Sequence, residues 1–254
     1  MCLINFQWQT HPNYPLIVAA NRDEFYDRPT AAAHFWSDDP FILAGRDLLE
    51  KGTWLGITTN GRFAALTNYR DPKTMHATFE KSRGDLVKNF LSSSLTPVQY
   101  LDKMKRMDDQ FNGFNLLVGT IEQLFYYNNI EREIIEVMPG THSLSNHFLN
   151  TPWPKVIRGK NKLQSITKQN ETMTPNHLFP LLTDRKKASD HKLPNTGVSH
   201  KLEKQLSPLF IQTENYGTRS STIVLIDKSG RVTFSERTYN AGSIQNEASF
   251  HFVL

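Results

Sequence analysis

The sequence lacks the features that mark several broad classes of protein. Its 254 residues include a single cysteine, so no disulfide can form within the chain. One thiol fits a reducing compartment or a reactive cysteine. No stretch approaches the roughly 20 apolar residues of a membrane-spanning helix, and residues 1–8 do not have the basic and apolar regions of a secretory signal. We therefore expect a soluble, cytoplasmic protein without a transmembrane segment.

The chain also lacks a strong charge of either sign. Its formal net charge is +4 at pH 7, spread along the chain rather than gathered in a tract. Nucleic-acid binding usually requires a concentrated basic patch, so we expect no nucleic-acid partner. Hydrophobic residues make up 38% of the chain and charged residues 21%, which is ordinary for a globular protein with a large core. We expect one domain over residues 1–254.

Alternating apolar and polar residues predict strands near both ends of the chain, with helices between them. An N-terminal hairpin is predicted from strands at 3–8 and 15–20, and Asn60-Gly61 predicts a second hairpin between 53–58 and 62–67. Further strands are predicted at 41–44, 114–120, 123–127 and 133–137, and a closing hairpin at 222–226 and 231–235. Helices are predicted to begin at Ser82, Thr96-Pro97, Trp153-Pro154 and Thr174-Pro175. This order favours an α+β domain.

Cys2 is the residue most suited to covalent chemistry. A small second residue permits removal of Met1, which leaves a thiol and a free α-amine on one residue. An α-amine titrates near about 8 and a thiol near about 8.5, so the amine can accept the thiol proton at neutral pH. Cys2 would then be nucleophile and base together. The alternative is an incidental small apolar residue at the start of a strand.

Four polar residues, Asn21-Arg22-Asp23-Glu24, follow the second predicted strand, where the hairpin returns towards Cys2. Such a group is usually a solvated turn. Beside a terminal cysteine, however, an arginine can lower the thiol pKa and an aspartate can hold an ammonium group. We therefore predict that Arg22 and Asp23 flank Cys2, and a turn remains the alternative.

Several segments recur together in one known family. They are Met1-Cys2, residues 21–24 with Arg28-Pro29, residues 52–57 and 61–70, Phe114-Asn115, residues 144–146 and 152–155, and residues 216–221. In this order, from residue 1 to about residue 239, the chain resembles the NRDE-motif family, also called the transport and Golgi organisation protein 2 family. Ser143 departs from the pattern, since a glycine is expected before Leu144-Ser145-Asn146.

The pattern of this family is similar to that of the cysteine-type N-terminal-nucleophile (Ntn) amidohydrolases, which cleave conjugated bile acids, penicillin V and N-acylated amines. The resemblance implies a four-layer αββα sandwich of antiparallel sheets, no cofactor, and attack by Cys2 on the C–N amide bond of a small acylated substrate. It leaves open whether this chain has kept the catalytic activity or descends from an enzyme that had it.

The resemblance also assigns roles to individual residues. It implies a nucleophile at Cys2 flanked by Arg22 and Asp23, oxyanion-hole contacts from Asn68 and Asn146, and a supporting Arg219. The alternatives are a turn residue at Asn68, a cap at Asn146 and a surface ion pair at Arg219. In those hydrolases the arginine and aspartate are three residues apart, whereas here they are adjacent. Asn21 and Glu24 have that spacing, so the register of the site stays open.

A second hypothesis is a non-catalytic carrier that holds haem or an acylated, lipid-like ligand in the same pocket. The family has been implicated in moving haem between compartments and in lipid homeostasis. The nine histidines show no metal-ligand spacing, and the haem-attachment motif Cys-x-x-Cys-His is absent. His142 and His147, on either side of Asn146, are the most interesting of them. An enzyme of this type needs the free α-amine of Cys2, and a carrier does not.

Overall fold

Antiparallel strands form most of the chain. The computed structural model describes residues 2–74, 77 and 79–254. In chain order the strands are β1 (Cys2–Trp8), β2 (Leu16–Phe25), β3 (Thr30–Phe35), β4 (Ile42–Asp47), β5 (Leu55–Thr58), β6 (Phe63–Asn68), β7 (Phe114–Gly119), β8 (Leu124–Asn128), β9 (Ile134–Glu136), β10 (Gly140–Leu144), β11 (Tyr216–Ile226), β12 (Arg231–Asn240) and β13 (Ser243–Val253). The helices are α1 (Gly84–Leu91), α2 (Pro97–Lys105), α3 (Pro154–Gln169), α4 (Pro175–Leu182) and α5 (His200–Gln205).

These described residues group into two units, each with its own sheet. The first unit comprises the residues up to Asp27 together with Pro139–Ser145 and Leu149–Val253. Its sheet has the order β10-β1-β2-β11-β12-β13. The second unit comprises Arg28–Met138, Asn146–Phe148 and Leu254. Its sheet has the order β3-β4-β5-β6-β7-β8-β9.

In the first unit, helices α3 and α4 cover one face of the sheet. Leu3 of β1 packs into a buried cluster with Leu163 of α3 and Leu178 of α4. Successive side chains of a strand point to opposite faces, so Leu3 marks the helix-covered face and Cys2 belongs to the opposite one. At Gly159, α3 approaches β1 so closely that a Cβ atom would collide with the Asn5 side chain.

In the second unit, the apolar sides of α1 and α2 pack on the sheet. Phe90 of α1 and Leu101 of α2 share a buried cluster with Phe114 of β7. The predicted start of α2 is confirmed: the Thr96 hydroxyl accepts from the Gln99 N–H at 3.2 Å, and the Gln99 side chain accepts from the Thr96 N–H at 3.0 Å. This reciprocal capping box satisfies two of the amides that the first turn leaves unpaired.

Both predicted early hairpins are confirmed. Strands β1 and β2 pair in the interior of the first sheet, and β5 pairs with β6 around Gly61, whose φ of +83° suits a residue without a side chain. The predicted hairpin of 222–226 and 231–235 is also confirmed, within β11 and β12, but it does not close the chain, because a further strand, β13, pairs with β12 at the edge of the sheet. Strands β3 and β10 and helix α5 were also not predicted, and α1 begins at Gly84 rather than at Ser82.

No helix in the described part of the chain is both long enough and apolar enough to span a bilayer.

Candidate active site

The pairing of β1 with β2 places Arg22 directly across from Cys2. The register joins Cys2 to Arg22 and Leu3 to Asn21. Directly opposed residues of an antiparallel pair share a face, so the side chains of Cys2 and Arg22 are neighbours. Cys2 is 7% exposed and Arg22 is 5% exposed. The structure thus brings these two predicted site residues together in a buried setting.

The pKa of the Cys2 thiol is raised, whereas a site that activates a thiol is expected to lower it. Burial raises the pKa of the Cys2 thiol above its ordinary value, and the negative charge of Asp23 raises it further. The Arg22 charge and a hydrogen bond from the Asp23 backbone N–H act in the opposite direction. Arginine does favour the thiolate, as predicted, but desolvation has the larger effect. Removal of Met1 concerns a residue outside those described.

This raised pKa predicts slow alkylation of Cys2 in a chain that keeps an extension before it. We expect iodoacetamide to label the folded chain at least about tenfold more slowly at pH 7 than the same chain in urea, because folding removes thiolate and hides the sulfur. The midpoint of the pH profile should lie above that of the unfolded chain. The chain has one cysteine, so bulk labelling reports this thiol alone. A folded midpoint at or below the unfolded one would show that Arg22 outweighs burial.

Asp23 lies on the helix-covered face and is held by Thr218 of β11. The two residues are paired in the β2–β11 register. The Thr218 hydroxyl accepts from the Ile211 N–H at 2.9 Å and donates to Asp23 Oδ1 at 2.7 Å. Because its proton points at the carboxylate, Thr218 favours the ionised form of Asp23. Burial nevertheless raises the pKa of the Asp23 carboxyl, while the charge of Lys155 and this hydrogen bond lower it.

Arg219 occupies a β-bulge next to these residues. The β2–β11 register passes from Thr218 opposite Asp23 to Ser220 opposite Arg22, which leaves Arg219 as the extra residue. A bulge re-aims a side chain, and here the guanidinium donates to the Phe25 carbonyl at 2.7 Å. Burial lowers the Arg219 pKa, and the like charge of Arg22 lowers it further. Arg219 is therefore in the electrostatic neighbourhood of Arg22, and its supporting role stays a prediction of the resemblance.

The side chain of Asn21, the first residue of the four-residue motif, makes three hydrogen bonds within the protein. Its amide nitrogen donates to the carbonyls of Leu182 and Leu209, each at 2.9 Å. Its amide oxygen accepts from the Ser221 hydroxyl at 2.6 Å. These bonds attach the end of α4 and the segment before β11 to strand β2. The alternative of a turn over residues 21–24 is wrong, since all four lie within β2.

Asn68 and Asn146 meet within the second unit. The Asn146 amide donates to the Asn68 carbonyl at 3.0 Å, and the Asn146 carbonyl accepts from the Arg70 N–H at 2.8 Å. Asn146 is fully buried. The predicted oxyanion residues therefore form a pair, whereas Cys2, Arg22, Asp23 and Arg219 are grouped in the first unit.

The sequence reasoning did not single out Thr218 or Lys155 as site residues. Both lie inside quoted family segments, but a lone threonine or lysine has no pattern that points to chemistry. Thr218 is fully buried and Lys155 is 1% exposed. The signal appears only when strand register and helix packing bring them to Asp23.

The two histidines near Asn146 have local ring contacts. His142 stacks on Phe6 with 5.1 Å between ring centroids, and His147 lies 3.3 Å from the Tyr69 hydroxyl. Burial lowers the His147 pKa. Within residues 2–74, 77 and 79–254, no group of three or more histidine, cysteine or acidic side chains is arranged to hold a metal ion.

A cavity of about 420 Å³ lies in the first unit at the C-terminal end of α3. Its lining includes Gln7, His11, Thr141, Lys168 and Glu171. None of the six predicted site residues contributes to this lining.

The fold is shared with solved structures. The *N*-acylethanolamine-hydrolyzing acid amidase ortholog of Caenorhabditis elegans matches with a TM-score of 0.53 and 11% identity, over 89% of this chain and 92% of that one. A variant of the conjugated bile acid hydrolase of Clostridium perfringens matches with a TM-score of 0.55 and 9% identity, over 100% and 97% of the two chains. The predicted fold class, an α+β αββα sandwich of the Ntn-hydrolase type, is confirmed.

The family is shown by sequence. The family described as Transport and Golgi organisation 2 matches residues 1–241, and the chain belongs to it. A relative from Mus musculus, the Transport and Golgi organization 2 homolog, is 36% identical over 258 residues, which cover 94% of this chain and 93% of the relative. The resemblance drawn from the sequence motifs is thereby confirmed.

Proposed function

We propose that the chain is a cysteine amidohydrolase of the Ntn type that cleaves the C–N amide bond of a small acylated substrate. The observation that carries the proposal is the setting of Cys2. The thiol stands at the start of an interior strand, directly across from Arg22 and within electrostatic reach of the buried carboxylate of Asp23. Two proteins with this fold bear names that describe hydrolysis of *N*-acylethanolamines and of conjugated bile acids.

The proposed reaction begins after Met1 has been removed. The Cys2 α-amine takes the thiol proton, and the sulfur attacks the substrate carbonyl carbon to form a tetrahedral oxyanion. When the C–N bond breaks, the ammonium group returns its proton to the departing amine, and a thioester remains on Cys2. Water then attacks the thioester, the amine again accepts a proton, and the carboxylic acid and the free thiol are released.

The surrounding residues have distinct parts in this proposal. The guanidinium of Arg22 stabilises negative charge on the sulfur, and Asp23 orients the α-amine. Arg219, the extra residue of the bulge next to Arg22, supports the site in this proposal. The oxyanion contacts assigned to Asn68 and Asn146 remain a prediction of the resemblance. We place the reaction in the cytoplasm on the basis of the single cysteine.

The proposal requires that the mature protein begin at Cys2. We expect the intact mass of protein from a host with methionine aminopeptidase to lack Met1, because the cysteine side chain is small. A Cys2→Leu variant is the matched control and should keep Met1. Complete retention of Met1 in the unmodified chain would remove the catalytic proposal and leave the fold unaffected.

Haem titration distinguishes the enzyme from the carrier. The catalytic proposal expects weak haem binding without a strong axial ligand. A sharp Soret shift with submicromolar affinity, lost in a His142→Ala or His147→Ala variant, would instead support a carrier.

A further inference from the structure

Lys155 is a fully buried lysine near the beginning of α3. Its exposed fraction is 1%, and it is among the largest completely buried side chains of the described chain. Lysine is almost never buried to this degree without a partner, because removing an ammonium group from water is strongly unfavourable. A buried lysine therefore calls for a nearby anion.

The position of Lys155 within the helix is also unfavourable for a cation. Pro154 is the first residue of α3, with Trp153 before it as the N-cap, so Lys155 lies in the first turn. The helix macrodipole places partial positive charge at this end, and cations are stabilised at the other end. Helix geometry thus adds to the burial penalty.

The side of α3 that carries Lys155 faces the sheet. Lys155, Gly159 and Leu163 follow one another at intervals of four residues and share one side of the helix. Gly159 lies against Asn5 of β1, and Leu163 belongs to the buried cluster that also contains Leu3. Leu3 and Asn5 mark the helix-covered face of the sheet, and Asp23 lies on that face of β2 by the same alternation.

Asp23 is an anion within electrostatic reach of Lys155. It is 1% exposed, and the Lys155 charge acts on it to lower the pKa of its carboxyl. Burial and the neighbouring Glu24 raise that pKa. The other titratable groups within electrostatic reach of Asp23 include the Cys2 thiol, the Tyr26 hydroxyl and, in the chain that begins at Met1, the terminal ammonium group, which also lowers the Asp23 pKa.

We propose that Lys155 is a positioning residue of the Cys2 site. From the helix side it keeps the buried Asp23 carboxylate charged, so that this carboxylate can hold the α-amine that Cys2 exposes when Met1 is removed. Lys155 acts on the reaction through Asp23 and does not touch the substrate. This inference rests on the proposed function, because it concerns the same nucleophile.

The α-amine of Cys2 can be observed without any substrate. Protein made with ¹⁵N-labelled cysteine carries one labelled residue, and cleavage of an N-terminal extension yields a chain that begins at Cys2. A ¹⁵N NMR titration then reports the pKa of this amine. A nearby anion raises an amine pKa, and a nearby cation lowers it.

The two ways in which Lys155 could act give opposite results. If Lys155 keeps Asp23 charged, Lys155→Met lowers the amine pKa, as Asp23→Asn does, and the double variant gives no further decrease. If Lys155 only repels the amine, Lys155→Met raises its pKa. Lys155→Arg should retain most of the wild-type value. Lys168→Met, an exposed lysine of the same helix, is the matched control and should change nothing.

A rise in Lys155→Met, or no change, would overturn the inference. The Asp23→Asn/Lys155→Met chain keeps the measurement available if the single variant unfolds, because removing both partners leaves no uncompensated buried charge. In that case the inference is supported if Asp23→Asn restores the fold of the Lys155→Met chain and the double variant has the amine pKa of Asp23→Asn, because a lysine that does not act on Asp23 gives no such rescue. A failure to restore the fold, or an amine pKa above that of Asp23→Asn, overturns it.

The amine titration also separates this inference from the proposed function. If the pKa of the Cys2 α-amine shifts with the predicted sign but no amide is cleaved, the hydrolase proposal is wrong and the effect of Lys155 on Asp23 still holds. Amide cleavage with no shift would do the reverse. If both hold, kcat for amide cleavage falls by roughly tenfold or more in Lys155→Met, while KM stays near the wild-type value.

Discussion

Replacing Cys2 with alanine is expected to reduce amine release from *N*-acyl substrates by on the order of 10³-fold or more. The substitution removes the sulfur that forms the thioester and keeps the α-amine. Cys2 is buried at the start of β1, where alanine is small enough to fit, so stability should change little. The measurement is amine release from a panel of *N*-acyl amides, with thermal unfolding recorded in parallel.

A second variant separates the thiol from the amine. A chain with an uncleaved extension before Cys2 keeps the sulfur and blocks the α-amine, and it should be as inactive as Cys2→Ala. Equal activity in the extended chain and the processed chain would mean that a different group accepts the thiol proton. Full activity in Cys2→Ala would place the chemistry elsewhere.

Replacing Asn21 with alanine is expected to lower the free energy of unfolding by about 3 kcal/mol or more. The change leaves two buried carbonyls, of Leu182 and Leu209, without the amide that binds them, and it removes the acceptor of the Ser221 hydroxyl. Each buried polar group left unsatisfied costs about 1–3 kcal/mol. Urea unfolding monitored by tryptophan fluorescence gives the value.

Asn161→Ala serves as the control for this measurement. Asn161 is an exposed residue of α3, and surface substitutions of this kind usually stay within about 0.5 kcal/mol. If Asn21→Ala were as mild as the control, the three hydrogen bonds of Asn21 would contribute little. That result would favour a functional role for Asn21 over a structural one.

Local signals predicted the parts of the fold that local chemistry determines. The Asn60-Gly61 turn needs only a glycine that accepts positive φ, and the start of α2 needs only Thr96 and Gln99. Both features are complete within a few residues, so a single sequence contains all the information. The alternation in β1 likewise indicated a strand before any pairing partner was known.

Features that depend on distant pairing were missed. Strand β13 lies at the edge of its sheet and exposes most of its residues, so its sequence lacks an apolar signal. The bulge at Arg219 exists only relative to β2. The effect of Arg22 on the thiol pKa can be read from the sequence, whereas the burial that raises this pKa depends on the folded chain around Cys2.

The alternation of β2 places its four polar residues on two faces of the strand. Asn21 and Asp23 point into the helix-covered interior, while Arg22 and Glu24 belong to the face that carries the Cys2 side chain. Adjacent residues of the motif, such as Asn21 and Arg22, are therefore under different selective pressures. A relative that loses the nucleophile has no further need of Arg22 or Asp23, yet must still retain Asn21 to keep the end of α4 attached to β2. Loss of Arg22 and Asp23 with Asn21 retained would thus be the evolutionary mark of a relative that has abandoned catalysis and kept the fold.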